Sequence, residues 1–167
     1  MRDLILTSSY FEDGGEIPRE CGYKNENEQP VLEIRGIPDE AESLALIMDD
    51  PDAMGAVGKV WVHWVVWNIQ PNQNDYASGS RHDEIEDLHT HQNDNMEMYH
   101  KGMTDFGKVG YGGPAPPDKR HTYVLKLYAL DCKELTCADG VATKAEVEKA
   151  MEGHILEQAK LTGTYAP

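Results

Sequence analysis

With 167 residues and 40% hydrophobic content, the chain has the size and composition of one globular domain. Fifteen basic residues against thirty acidic ones leave a net charge of −15 and a pI near 4.7. That balance excludes nucleic acid or an anionic membrane surface as a general partner, since both demand a basic footprint. No apolar run approaches the roughly 18 residues a membrane-spanning helix needs.

The chain opens with Met1-Arg2-Asp3-Leu4-Ile5-Leu6, too short an apolar stretch for a secretory signal, so a cytoplasmic location is expected. Three cysteines, Cys21, Cys132 and Cys137, are an odd count without metal-site spacing. They are expected as free thiols, with a Cys132–Cys137 bridge as the alternative. Val31 to Arg35 reads as a short strand stopped near Gly36-Ile37-Pro38. Leu44 to Met48 is a continuous apolar run of strand length, expected to be buried on both faces and to end in the turn Asp49-Asp50-Pro51-Asp52. Val60 to Ile69 is the strongest strand, closed by Pro71.

Residues 70 to 106 are polar, acidic and poorly periodic. Tyr123 to Leu130 is a further β-rich run, preceded by the turn-rich Gly110 to Pro117. Thr143 and Glu146 have capping-box spacing. Val147, Met151, Ile155 and Ala159 then recur at helical spacing, with Gly163 suited to ending the helix. The plan is mostly β with an appended C-terminal helix, in a single domain over residues 1–167.

Several residues could carry chemistry. Strand alternation puts His63 on one face with Trp61, Val65, Trp67 and Ile69, and puts Val62, Trp64 and Val66 on the other. A histidine between tryptophans is either a hydrogen-bonded core residue or a pocket residue. Asp50-Pro51-Asp52 fixes two carboxylates in a stiff turn, one able to orient an imidazole and the other to cap backbone amides. His121 shares a face with Tyr123, Leu125 and Leu127. It also lies in the one net-positive segment, residues 106–130, where Lys108, Lys119, Arg120 and Lys126 outweigh Asp118. Two histidines, the Asp pair and a Gly-rich turn with free N–H groups would suit a small anion. His82, His89, His91 and His100 lie among carboxylates and admit a metal, but an acidic solvated loop is the commoner meaning. No metal or cofactor is expected.

Leu46-Ile47-Met48-Asp49-Asp50-Pro51-Asp52-Ala53 with Val62-His63-Trp64-Val65-Val66-Trp67-Asn68-Ile69 resembles the first signature of the phosphatidylethanolamine-binding protein (PEBP) family, also called Raf-kinase-inhibitor-like. Gly107 to Pro117, followed by His121 and Tyr123, resembles the second. Asn27-Glu28-Gln29-Pro30 and the end, Gly153-His154 to Gly163-Thr164-Tyr165, look like the bacterial and archaeal branch. The resemblance implies a large central antiparallel sheet, a smaller sheet beside it and C-terminal helix. It also implies an anion pocket for phosphate or phospholipid headgroups, at Asp50, Asp52, His63, Gly112, Gly113, Pro114, His121 and Tyr123. Two departures stand out. Met54 replaces a usual proline, and Thr122 stands where the family usually has Arg, with Arg120 as a substitute guanidinium.

The functional expectation is therefore a regulatory protein that binds a small anion or a phosphorylated ligand, without catalytic residues. An inhibitor of a kinase or serine protease is in keeping with the family, and a homodimer with the branch. A net charge of −15 opposes stable membrane association. The alternatives are a phosphoester or ester hydrolase using the Asp/His pair, and an interaction scaffold with a vestigial pocket.

Overall fold

The computed structural model describes residues 3–71, 82–84, 100–136 and 142–167. In chain order the elements are β1 (Ile5–Ser8), β2 (Gly15–Glu16), β3 (Leu32–Arg35), β4 (Ser43–Asp50), α1 (Ala53–Val57) and β5 (Trp61–Ile69). There follow β6 (His82–Glu84), β7 (His100–Lys101), β8 (His121–Leu130), α2 (Lys144–Met151) and β9 (Ile155–Tyr165). Six strands form the main sheet in the order β2-β9-β8-β4-β5-β7, and three form a smaller one, β1-β3-β6. The main sheet is antiparallel except at its edge, where the two-residue β2 runs parallel to β9. This is the expected mostly-β, two-sheet architecture.

The apolar run at residues 44–48 explains the middle of the sheet. Every residue of β4 is buried, because β5 and β8 flank it and its two faces meet separate cores. Leu44, Leu46 and Met48 join Leu6, Leu32 and Ile34 of the small sheet in the inter-sheet core, while Ala45 and Ile47 pack with Val147 and Met151 of α2. Each fully buried side chain of this kind contributes about 1.5–3 kcal/mol of transfer free energy. The strand also runs on through Asp49 and Asp50 instead of stopping before them, so the Asp50 carboxylate is carried by sheet and not by a turn.

Strict alternation fails in β5, and the failure locates His63. Met48 pairs with Trp64 but Asp49 pairs with Val62, so His63 is the extra residue of a β-bulge. A second irregularity falls between the Leu44–Ile69 and Leu46–Val66 pairs, where Asn68 takes the left-handed conformation with φ 57°. The expected faces are corrected accordingly. Val65 and Trp67 pack on the α2 side with Val62 against them, whereas Trp64, Val66 and Ile69 lie in the inter-sheet core. Of the residues expected beside His63, Trp61 remains with it.

The C-terminal region is also corrected. The capping box forms as expected: the Glu146 N–H donates to Thr143 Oγ1 at 3.3 Å and the Thr143 N–H to Glu146 Oε1 at 3.2 Å. The helix then stops at Met151, and Gly153 turns the chain with φ 81°. Residues 155–165 pair along β8 as a strand. Leu161, Gly163 and Tyr165 are buried while Thr162 and Thr164 are less so, a period of two that the i, i+4 apolar stripe obscures. Residues 70–106, unpatterned in sequence, supply the short strands β6 and β7. No helix of the described residues is long and apolar enough to cross a membrane. Cys21 and Cys132 are free thiols; Cys137 lies outside the described residues.

Candidate functional site

The ends of β4, β5 and β8 converge on a cleft of about 140 Å³. Asp50, Trp61, His63 and His121 line it together with Phe106 and Pro117, and α1 closes one side with Ala53, Ala56 and Val57. The antiparallel order puts the last residue of β4 beside the first residues of β5 and β8. That registration brings Asp50 and His121, 71 residues apart, into contact.

His121 is held from both sides. Its Nδ1 lies 2.6 Å from Asp50 Oδ2 and its Nε2 lies 2.7 Å from Asp118 Oδ1. Burial alone would lower the imidazole's pKa. The bonds to Asp50 and Asp118 and their negative charges outweigh it, and the pKa is raised. With a carboxylate oxygen facing each ring nitrogen, the geometry favours an imidazolium donating to both. Partial desolvation would raise the carboxyl of Asp118, but the bond from His121 and backbone N–H groups hold it below the ordinary range.

His63 is the opposite case. Burial dominates and lowers its pKa, only partly offset by the backbone carbonyl of Gly112 and the charge of Asp50. Its Nδ1–H donates to Gly112 O at 2.7 Å, so the neutral ring keeps Nε2 as an acceptor. Phe106 and Tyr123 meet the ring edge-on at 5.4 and 5.1 Å. Phe106 is itself fixed by a stack on Tyr23 at 3.8 Å. Asp105 ties this segment to β5, accepting from the Val62 N–H and Lys59 Nζ at 2.7 and 2.8 Å.

Not every expected residue reaches the cleft. Asp52 is exposed and accepts the Thr122 N–H at 2.8 Å, so it caps an amide of β8 from the rim. The Gly112 and Gly113 N–H groups are not free donors. The Gly112 N–H donates to His63 O at 2.8 Å and the Gly113 N–H to Asn27 Oδ1 at 2.7 Å, while the Pro114 carbonyl accepts from the Tyr23 N–H at 2.9 Å. Gly112, Gly113 and Pro114 are therefore fastened into the wall behind His63, with the two glycine N–H groups already engaged. A Cβ on Gly113 would meet the Cys21 carbonyl oxygen at 1.9 Å, which is why this clamp requires glycine. Tyr123 is wholly buried behind the site, its phenol held above the ordinary range by burial and by the charge of Asp50. Arg120 does not replace a pocket guanidinium, because it pairs with Glu16 at 3.0 Å and Thr164 Oγ1 at 3.2 Å. Met54 is exposed on α1.

The Trp61 indole N–H is buried with no hydrogen-bond partner among the described residues, whereas the buried Tyr123 hydroxyl lies close to the Asp50 carboxylate and the Ala115 backbone. A buried donor without a partner is rare in folded proteins, and this one lies in the cleft wall. Phe106, Ala56 and Asp118 are site components that the motifs did not reveal. For Asp118 a signal existed, its position three residues before His121.

The histidines that admit a metal in sequence fall partly outside the described residues. His89 and His91 lie outside the described residues, and His100 stacks on Trp67 at 5.6 Å. Among the described residues, the ligand atoms of Asp131, Cys132 and His154 lie within 4.8 Å of one another at the far end of β8. There His154 Nδ1 is bonded to Asp131 at 2.8 Å and Cys132 packs against the α2 core.

The chain is thus a two-sheet β protein with a cleft at the strand ends, built on a buried Asp–His pair. Residues 7–166 match the sequence profile of the phosphatidylethanolamine-binding protein family, and the chain belongs to that family. A UPF0098 protein of Methanothermobacter thermautotrophicus is 42% identical over 162 residues, covering 97% of this chain and 98% of its own. Another, from Chlamydia trachomatis, is 36% identical over 164 residues, covering 97% and 98%. The crystal structure of CT736, a PEBP homologue from Chlamydia trachomatis, matches with TM-score 0.77 at 31% identity, covering 99% of this chain and 98% of that one. YbcL of Escherichia coli matches with TM-score 0.77 at 25% identity, covering 98% of both.

Proposed function

We propose that the cleft binds a small oxyanion of the phosphate type, free or as a phosphorylated group on a larger ligand, and that the protein is a non-catalytic cytoplasmic regulator. One observation carries this reading. The Asp118 carboxylate already sits on His121 Nε2 at 2.7 Å, so the imidazolium presents a donor where an oxyanion can be received. The Trp61 N–H is a second donor in the same wall. His63 Nε2 is an acceptor suited to a P–OH. Asp50 orients His121 from the sheet and is not itself a ligand for an anion.

Regulation would follow if the bound group belonged to a protein, a kinase or serine protease being the targets in keeping with the family. The hydrolase alternative finds less support, because among the described residues no serine, threonine or cysteine lines the cleft beside the Asp–His pair.

The test is a calorimetric titration of inorganic phosphate and, separately, phosphorylethanolamine into wild type, His63→Ala and His121→Ala. Saturable binding of both probes that His121→Ala removes supports the reading. Binding of phosphorylethanolamine alone would assign the site to a headgroup; binding of neither would overturn the reading.

A further inference from the structure

We propose that Asp118 is the pocket's own competing anion, a tethered carboxylate that occupies His121 Nε2 until an external oxyanion displaces it. The inference rests on the anion-pocket reading above and adds to it the residue that sets the threshold for binding.

The two carboxylates on His121 differ in freedom. The Asp50 side chain is 4% exposed and belongs to β4, whereas the Asp118 side chain is 44% exposed and lies on the bend before β8. If Asp50 withdrew, a buried charge would lose its partner, which is costly. Asp118 can swing into water and keep its charge hydrated. The His121–Asp50 pair stays intact when it does so. Exchange at Nε2 is then one oxyanion for another, with no buried charge left unpaired.

Access is consistent with this order of events. The His121 ring forms part of the cleft wall yet has no solvent exposure of its own, and Pro117, the residue before Asp118, lines the same wall. A ligand in the cleft therefore meets the imidazolium only as the Asp118 bend moves. Lys119 and Arg120 follow directly, but Arg120 is committed to Glu16, so it does not draw Asp118 away. If the ring is free about a tenth of the time, apparent affinity is about tenfold weaker than the open site's.

The experiment titrates inorganic phosphate into wild type, Asp118→Asn and Asp118→Ala, with carbon-13 NMR of the Asp118 carboxyl in wild type. We expect both variants to bind phosphate about tenfold more tightly or better. We also expect phosphate to move the wild-type Asp118 carboxyl toward the position of a free aspartate. The carboxyl readout decides the matter even where a variant fails to fold. Equal or weaker binding by the variants, with His121-dependent binding intact in wild type and the Asp118 signal unmoved, would overturn this inference and leave the pocket reading standing. No phosphate binding by wild type or either variant would overturn both.

Discussion

Asp50 Oδ2 and His121 Nδ1 meet at 2.6 Å between two strands of the main sheet, with neither side chain more than 4% exposed. The contact is both a joint of the fold and the foundation of the site. Removing Asp50 leaves the buried imidazolium with the half-exposed Asp118 alone, so the cost falls toward the lower end of the about 3–5 kcal/mol typical of a broken buried pair. We expect Asp50→Ala to lower stability by about that amount, measured by urea unfolding at neutral pH. A loss below about 1 kcal/mol would show that the pair is not coupled as the geometry indicates.

The two site histidines should give opposite pH dependences of stability. The pKa of His121 is raised above its unfolded value near 6.5. Its contribution is full below that pH and is lost as pH rises through the raised folded value. The pKa of His63 is lowered. The folded state then resists protonating it, and stability is lost as pH falls from about 6.5 through the folded value. Unfolding curves from pH 5 to 9 test this. Relative to wild type, His121→Asn should remove a fall in stability on the alkaline side, and His63→Gln a fall on the acid side. Slopes unchanged in both variants would contradict the assigned charge states.

Gly113→Ala should be among the most damaging single-methyl changes in the chain. Its Cβ would fall 1.9 Å from the Cys21 carbonyl oxygen, and the Asn27–Gly113 bond would be forced apart. Overpacking of this kind costs about 1–3 kcal/mol. Because the same turn holds His63 through Gly112, we expect phosphate affinity to fall along with stability. Thermal unfolding and calorimetry on one sample check both.

Thr143→Ala offers a milder case away from the site. It removes the hydroxyl that accepts the Glu146 N–H at the start of α2, and loss of such a cap costs about 1 kcal/mol. Because α2 packs on the opposite face of the sheet from the small sheet, phosphate binding should not change.

What could be read from sequence follows from which signals are local. β4 is legible because its continuous apolar run is of strand length and is bounded by the turn-forming Asp49-Asp50-Pro51-Asp52, which tips the choice from helix to strand. The α2 cap is legible because Thr143 and Glu146 bond each other within one turn. The Asp50–His121 contact was within reach of the motif resemblance, though only sheet order brings the two residues together. The bulge at His63 is not legible, since nothing in Val62-His63-Trp64 marks an extra residue; it shows only once Asp49 and Met48 choose their partners. The α2–β9 boundary misleads for a physical reason. Val147, Met151, Ile155 and Ala159 satisfy helical spacing, while pairing with β8 outweighs that propensity beyond Gly153. The glycine turn misleads as well, because spacing shows how many N–H groups it has but not that Asn27 and the His63 carbonyl consume them.

The central claim is that His121 is an imidazolium able to receive an oxyanion beside a neutral His63. Long-range proton–nitrogen correlation of the histidine rings at neutral pH, recorded before and during addition of inorganic phosphate, tests it most directly. We expect both His121 nitrogens to be protonated, His63 to be the neutral Nδ1–H tautomer, and the His121 Nε2 signal to move saturably with phosphate. A neutral His121 whose signals ignore phosphate would contradict it.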